Sequence, residues 1–187
     1  MSKGLTPGAV LVDFELPDDG GTRRRLSQLQ GDNAMILMFG RGEHCPRERQ
    51  HLREMVRFHQ WCAVAFTQLV TVLPNNLHDT NKMRITTGAY WPFLADPDLH
   101  VQRSLQIEEY TDPHHRATVP HTLVLAPGLV IDKVYVGYWS GAGPRPSSFG
   151  WTCRTCCGAP RPTSTQPRQR CGRLGSGPTR PPRRCNA

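Results

Sequence analysis

The sequence predicts an α/β domain built on a central mixed sheet flanked by helices, followed by a disordered C-terminal tail. Three observations carry this reading. Ala34–Phe39 and Thr67–Leu73 are continuous apolar or β-branched runs, the pattern of strands covered on both faces, as in parallel sheets. A helical period follows the first run, and an apolar hairpin closes the ordered part, so the order β-α-β-α then β-β gives a mixed sheet. After Trp139 the apolar periodicity stops.

The elements follow in order. Residues 10–16 alternate imperfectly and meet Pro17 and the turn Asp18-Asp19-Gly20-Gly21, which reads as a short strand or arm and a tight turn. Residues 22–26 resume the extended chain, and Ser27 is expected to cap one helical turn ending at Gly31. The strand over 34–39 ends at Gly40-Arg41-Gly42-Glu43-His44-Cys45-Pro46. Pro46 suits the first position of a helix; Leu52, Met55, Val56 and His59 then fall on one face. The strand over 67–73 stops at Pro74-Asn75-Asn76, and a polar helix is expected over about 77–86. Residues 91–96 form a short extended piece, after which Asp98 is expected to cap a helix through about Leu105. Residues 122–126 and 129–136 make a hairpin around Pro127-Gly128.

Charge and cysteine content divide the chain at the same place. Of 187 residues, those from Ser140 onward include nine arginines, eight prolines and seven glycines, and no lysine or acid. That leaves 14 basic against 15 acidic residues in 1–139. The net charge of +8 therefore belongs to the tail and says nothing about the partners of the domain. Two of the seven cysteines, Cys45 and Cys62, lie in 1–139, too few for a disulfide framework. The N-terminus has no apolar signal region and no run approaches the ~20 apolar residues of a membrane span. The expectation is a cytoplasmic protein without a membrane partner.

Three segments, residues 12–18 with the run 26–31, residues 39–49 and residues 119–122, together resemble the peroxiredoxin-like, alkyl hydroperoxide reductase and thiol-specific antioxidant (AhpC/TSA) branch of the thioredoxin superfamily. Val12-Asp13-Phe14-Glu15-Leu16-Pro17-Asp18, with Gly20-Gly21 and Leu26-Ser27-Gln28-Leu29-Gln30-Gly31, resembles the opening segment of that family. Phe39-Gly40-Arg41-Gly42-Glu43-His44-Cys45-Pro46-Arg47-Glu48-Arg49 is similar to the "F-x-R-G-x-x-C-P-x-C-R" of peroxiredoxin-like redoxins. Cys45 takes the first cysteine position. Glu48 stands at the second, where the "P-x-x-x-T-x-x-C" motif of standard peroxiredoxins puts its peroxidatic cysteine. Val119-Pro120-His121-Thr122 resembles the region where thioredoxin folds hold a cis-proline beside the reactive cysteine. The resemblance covers about residues 8–139 and implies a thioredoxin-like fold and a thiol-dependent antioxidant or oxidoreductase. It implies a peroxide or disulfide substrate, an external thiol reductant (thioredoxin-type or small thiol), and no cofactor or metal. The alternative is a catalytically silent thioredoxin-fold interaction domain. Oligomeric state is left open.

The candidate catalytic residues are Cys45, Arg49 and His44, with Pro120, His121 and Arg41 as neighbours of the substrate. Cys45 is expected just before a helix, and both a helix N-terminus and nearby cations favour the thiolate, the reactive form. Arg49 is the preferred cation; Glu43 and Glu48 oppose it. His44 reads either as a base or as a polar loop residue, and His121 as a residue that faces Cys45 or does not. With position 48 occupied by Glu, resolution falls to an external thiol or to Cys62, which reads mainly as a buried structural thiol. His114-His115 beside Asp112 resembles a metal cluster, but adjacent histidines rarely converge on one ion and a loop is the better reading. Tyr90-Trp91 and Tyr138-Trp139 read as core or interface.

In the tail, Cys153-Arg154-Thr155-Cys156 has zinc-knuckle spacing, with Cys171 and Cys185 as further ligands, but no apolar mini-core accompanies it. The arginines suit phosphate contacts, though without an aromatic stacking pattern. The favoured reading is a shifted reading frame from about residue 140, which would deprive the domain of its last helix. Such a composition cannot offset its ordering entropy.

Overall fold

The computed structural model describes residues 5–137, except 110, 111, 113 and 116. The expectations for the tail, including its zinc, nucleic-acid and frame readings, and for Tyr138-Trp139 lie outside the described residues.

The first two strands, β1 (Glu15–Pro17) and β2 (Arg23–Arg25), form an antiparallel pair. Their turn is closed by Asp18, whose Oδ1 accepts from the Gly20 and Thr22 N–H groups at 3.0 and 2.9 Å. Helix α1 (Leu26–Gln30) follows directly. Ser27 does not cap it, because the helix starts two residues earlier, with Arg25 at the N-cap. The Ser27 N–H and hydroxyl both donate to the carboxylate of Asp13, at 3.0 and 2.7 Å. A remote side chain has taken the capping role that the local sequence assigned to Ser27.

The main sheet has the order β5-β4-β3-β6-β7. At its centre is β3 (Ala34–Phe39), parallel to β4 (Thr67–Leu73) from Ala34↔Thr67 to Phe39↔Val72. β5 (Phe93–Ala95) extends the parallel side. On the other side β3 runs antiparallel to β6 (His121–Ala126), which forms the expected hairpin with β7 (Val130–Val136). Alternate residues of β3 enter two separate cores. Met35, Leu37 and Phe39 pack with Leu123, Leu125 and Ile131. Ile36 and Met38 pack with Leu52 and Met55 of α2 (Pro46–Val64), Met83 of α3 (Leu77–Thr87) and Phe93. This two-sided burial is why β3 reads as an unbroken apolar run. Leu52 and Met55 have no exposed surface, and each such side chain contributes about 1.5–3 kcal/mol.

Helix α4 (His100–Ser104) is capped differently from expectation. Asp98 is outside the helix end, while buried Asp96 accepts from the His100, Val101 and Gln102 N–H groups at 2.9, 3.0 and 3.3 Å. Leu99, with φ of 58°, turns the chain so that Asp96 rather than Asp98 reaches those donors. Trp91 is buried and its Nε1–H donates to Thr71 Oγ1 at 2.9 Å, whereas Tyr90 is exposed. Among the described residues, no helix is long and apolar enough to cross a membrane.

Candidate active site at the start of helix α2

The chain leaves the central strand at Phe39 and enters α2 at Pro46, so residues 40–45 lie at the C-terminal edge of the sheet. In α/β sheets this edge is where ligands are bound. Cys45 is the N-cap of α2, extended at φ −87° and ψ 111°, with Pro46 opening the helix as expected. It is free and 7% exposed. The first-turn N–H groups of a helix lack intrahelical partners and carry the positive end of its dipole, so this end of α2 is a place where an anionic group can be met.

The loop before Cys45 is built for close approach. A Cβ on Gly40 would lie 2.7 Å from Leu73 Cδ2 and 3.0 Å from the Glu48 carboxyl carbon. Gly42 has φ of +112°, which a side chain rarely adopts. The Glu43 N–H donates to Asn75 Oδ1 at 3.1 Å, and Glu43 pairs with Lys82 at 3.2 Å.

Glu48, at the second cysteine position, is 3% exposed and one turn into α2. Burial pushes its carboxyl up to about 7, opposed by a weak hydrogen bond from the Arg41 N–H at 3.4 Å. The sequence shows a glutamate in the motif but not that it points inward against Gly40.

The other candidates divide. Arg41 carries its own counter-ion, Glu109, with Nη2–Oε2 of 2.5 Å, at a partly buried site. Arg49 is exposed on the first turn of α2, and its N–H donates to the Cys45 carbonyl at 3.3 Å. The ring of His44 stacks on that of His115, centroids 3.9 Å apart and 6° from parallel, and its Nε2 lies 4.0 Å from Asp112 Oδ2. Burial first, then the neighbouring His115, hold His44 below the usual imidazole range. His121 is buried opposite Phe39 in the β3–β6 register, with Nδ1 2.7 Å from the Val119 carbonyl. Burial also lowers its proton affinity, and Nδ1 is placed to donate to that carbonyl. The Val119–Pro120 bond, expected cis, is trans, there being no cis peptide among the described residues. The segment is held by Val119 N–H on the Ile107 carbonyl and Gly137 N–H on the Pro120 carbonyl, both 2.8 Å.

Cys62 lies at the far end of α2, buried beside Ile36, Met38 and Leu69. Burial pushes its thiol up to about 12. At 1.5 Å per residue the two cysteines are separated by roughly 25 Å of helix, so Cys62 does not reach Cys45.

Residues 7–134 match the sequence profile of the AhpC/TSA family. Two curated Mycobacterium tuberculosis proteins that carry peroxiredoxin names, from strains CDC 1551 and H37Rv, are 38% identical to this chain over 56 residues. That match spans 28% of this chain and only 36% of either relative. Among solved structures, peroxidoxin BcpB of M. tuberculosis superimposes with a TM-score of 0.66 at 21% identity, over 71% of this chain and 86% of that one. A PrxQ mutant of Xylella fastidiosa gives 0.64 at 14% identity over 71% and 86%, and AhpC of Enterococcus faecalis 0.62 at 18% over 74% and 84%. These three show a shared thioredoxin-like, peroxiredoxin-type fold. With the profile covering most of the described residues, the chain belongs to the AhpC/TSA family.

Proposed function

We propose that this protein is a thiol-dependent oxidoreductase that reduces a peroxide, or alternatively a disulfide, through Cys45. The observation that carries the reading is the placement of Cys45 as the N-cap of α2 at the C-terminal edge of the central strand, in an AhpC/TSA member. The attacking species is the thiolate. Its sulfur attacks one peroxide oxygen, the O–O bond breaks, and the leaving oxygen takes a proton and departs as an alcohol or water. Cys45 is left as a sulfenic acid. An external thiol condenses with it, releasing water and forming a mixed disulfide, and a second thiol regenerates Cys45.

Cys62, the other cysteine among the described residues, is out of reach of Cys45, so this reading assigns reduction to an external thiol. In this reading Arg49, exposed on the first turn, supplies positive potential, and His44, Arg41, Pro120 and His121 shape the surroundings. Burial lowers the proton affinity of His44 and His121, and Arg41 is paired with Glu109. A free thiol kept for such turnover suits a reducing compartment such as the cytoplasm.

The test is peroxide consumption by the full chain with thioredoxin-type and small-thiol reductants, beside Cys45→Ser. Turnover that falls by at least about 100-fold on removing the nucleophile is expected. No rate in either protein would favour a silent domain, and equal rates in the two would overturn the assignment to Cys45.

A further inference from the structure

The geometry points to a binding site for a divalent transition-metal ion formed by His44, Asp112 and His115. Each offers one ligand atom, and the three atoms lie within 4.8 Å of one another. His44 comes from the loop between β3 and α2, and Asp112 and His115 from the loop between α4 and β6. The Asp112 carboxylate is 3.0 Å from His115 Nδ1 and 4.0 Å from His44 Nε2. Zinc binds nitrogen at about 2.0–2.1 Å and carboxylate oxygen at about 2.0–2.2 Å, so donors around one ion stand roughly 3–3.5 Å apart. Contraction on the order of 1 Å would bring the three onto an ion.

The His114 and His115 N–H groups donate to Asp112 Oδ1 at 3.0 and 3.1 Å, which fixes the carboxylate. The two rings are stacked, and parallel rings cannot aim both lone pairs at one ion. One ring must therefore turn, and His115, about half exposed at 48%, has room to do so. Two imidazoles and one carboxylate suit Zn²⁺, Co²⁺, Ni²⁺ or Cu²⁺ and disfavour Mg²⁺ and Ca²⁺, which prefer all-oxygen sets. Three protein ligands leave a position for water.

The proposal is independent of the redox reading and is tested without an activity assay. The full, reduced chain is titrated with Co²⁺ under anaerobic conditions, in parallel with His115→Ala, Asp112→Asn and His114→Ala. All three positions are on a partly exposed loop, and circular dichroism of the metal-free proteins checks that the fold is kept. Co²⁺ taken up by the five tail cysteines is distinguished by its thiolate charge-transfer band, which a site of imidazole and carboxylate donors lacks. The expected result is one equivalent bound without that band in the wild type. Its affinity should fall by more than about 100-fold in His115→Ala and Asp112→Asn, beyond the roughly 10–100-fold that the loss of a second-shell partner costs, and be kept in His114→Ala. Absence of the equivalent, its retention in either ligand variant, or an equal loss in His114→Ala would overturn the proposal.

Discussion

Helix α2 carries a free cysteine at each end, and both are buried: Cys45 at 7% exposure and Cys62 at 3%. Burial alone therefore does not distinguish them. The difference lies in what each helix end offers a sulfur. Cys62 lies within apolar side chains that raise the cost of its thiolate and push it to about 12. Cys45 caps the N-terminus, at the edge of the sheet and beside two loops rich in charged and imidazole groups. An apolar setting keeps a thiol protonated, whereas a helix N-terminus is a setting in which reactive thiols are found.

The largest expected effect breaks this comparison outright. Cys45→Ser should remove thiol turnover, by at least about 100-fold, while Cys62→Ala should leave the rate within about twofold. If the Cys62 variant lost activity with an intact fold, the assignment of the two ends would be reversed.

Glu48 supplies the next largest effect. Its carboxyl is raised from 4.5 to about 7, primarily by burial. The folded state thus holds this proton more tightly than the unfolded chain, so stability is highest below about pH 4.5 and falls as pH rises towards 7. The full difference corresponds to about 3 kcal/mol. Glu48→Gln should stabilise the protein by up to that amount at pH 8 and change little at pH 4. Denaturant midpoints at the two pH values measure it, and a pH-independent effect would contradict the burial argument.

A smaller effect is expected from Gly40→Ala, since its Cβ would press on Leu73 at 2.7 Å and on Glu48 at 3.0 Å. Overpacking of this kind costs about 1–3 kcal/mol, and here it should also displace the loop leading to Cys45, lowering the rate as well as the stability. Cys62→Ala should cost about 1 kcal/mol, the loss of one buried sulfur and the gap it leaves. Thermal melts with rates on the same samples separate the two: a change in rate and stability for Gly40, and in stability alone for Cys62.

The legible part of the molecule was the part governed by local pattern. The runs over 34–39 and 67–73 announced strands buried on both faces, Pro46 announced the start of α2, and Pro127-Gly128 announced the hairpin. What the sequence concealed depends on partners far along the chain. Asp13 takes the role expected of Ser27, and Asp96 that expected of Asp98, because the fold determines which carboxylate meets the free N–H groups. Asp112 and His115 were visible as neighbours, but the third donor is His44 rather than adjacent His114, and only the packing of two loops joins them. In the same way Glu109 neutralises Arg41, and the inward turn of Glu48 follows from the absence of a side chain at Gly40.

The central claim is that the thiol at the N-terminus of α2 reacts and the thiol at its other end does not. The most direct measurement exposes the native, reduced chain to one equivalent of hydrogen peroxide in the presence of a nucleophile that traps sulfenic acids, and maps the adduct by mass spectrometry. The account predicts the adduct on Cys45 and none on Cys62; an adduct on Cys62 with Cys45 unmodified would contradict it.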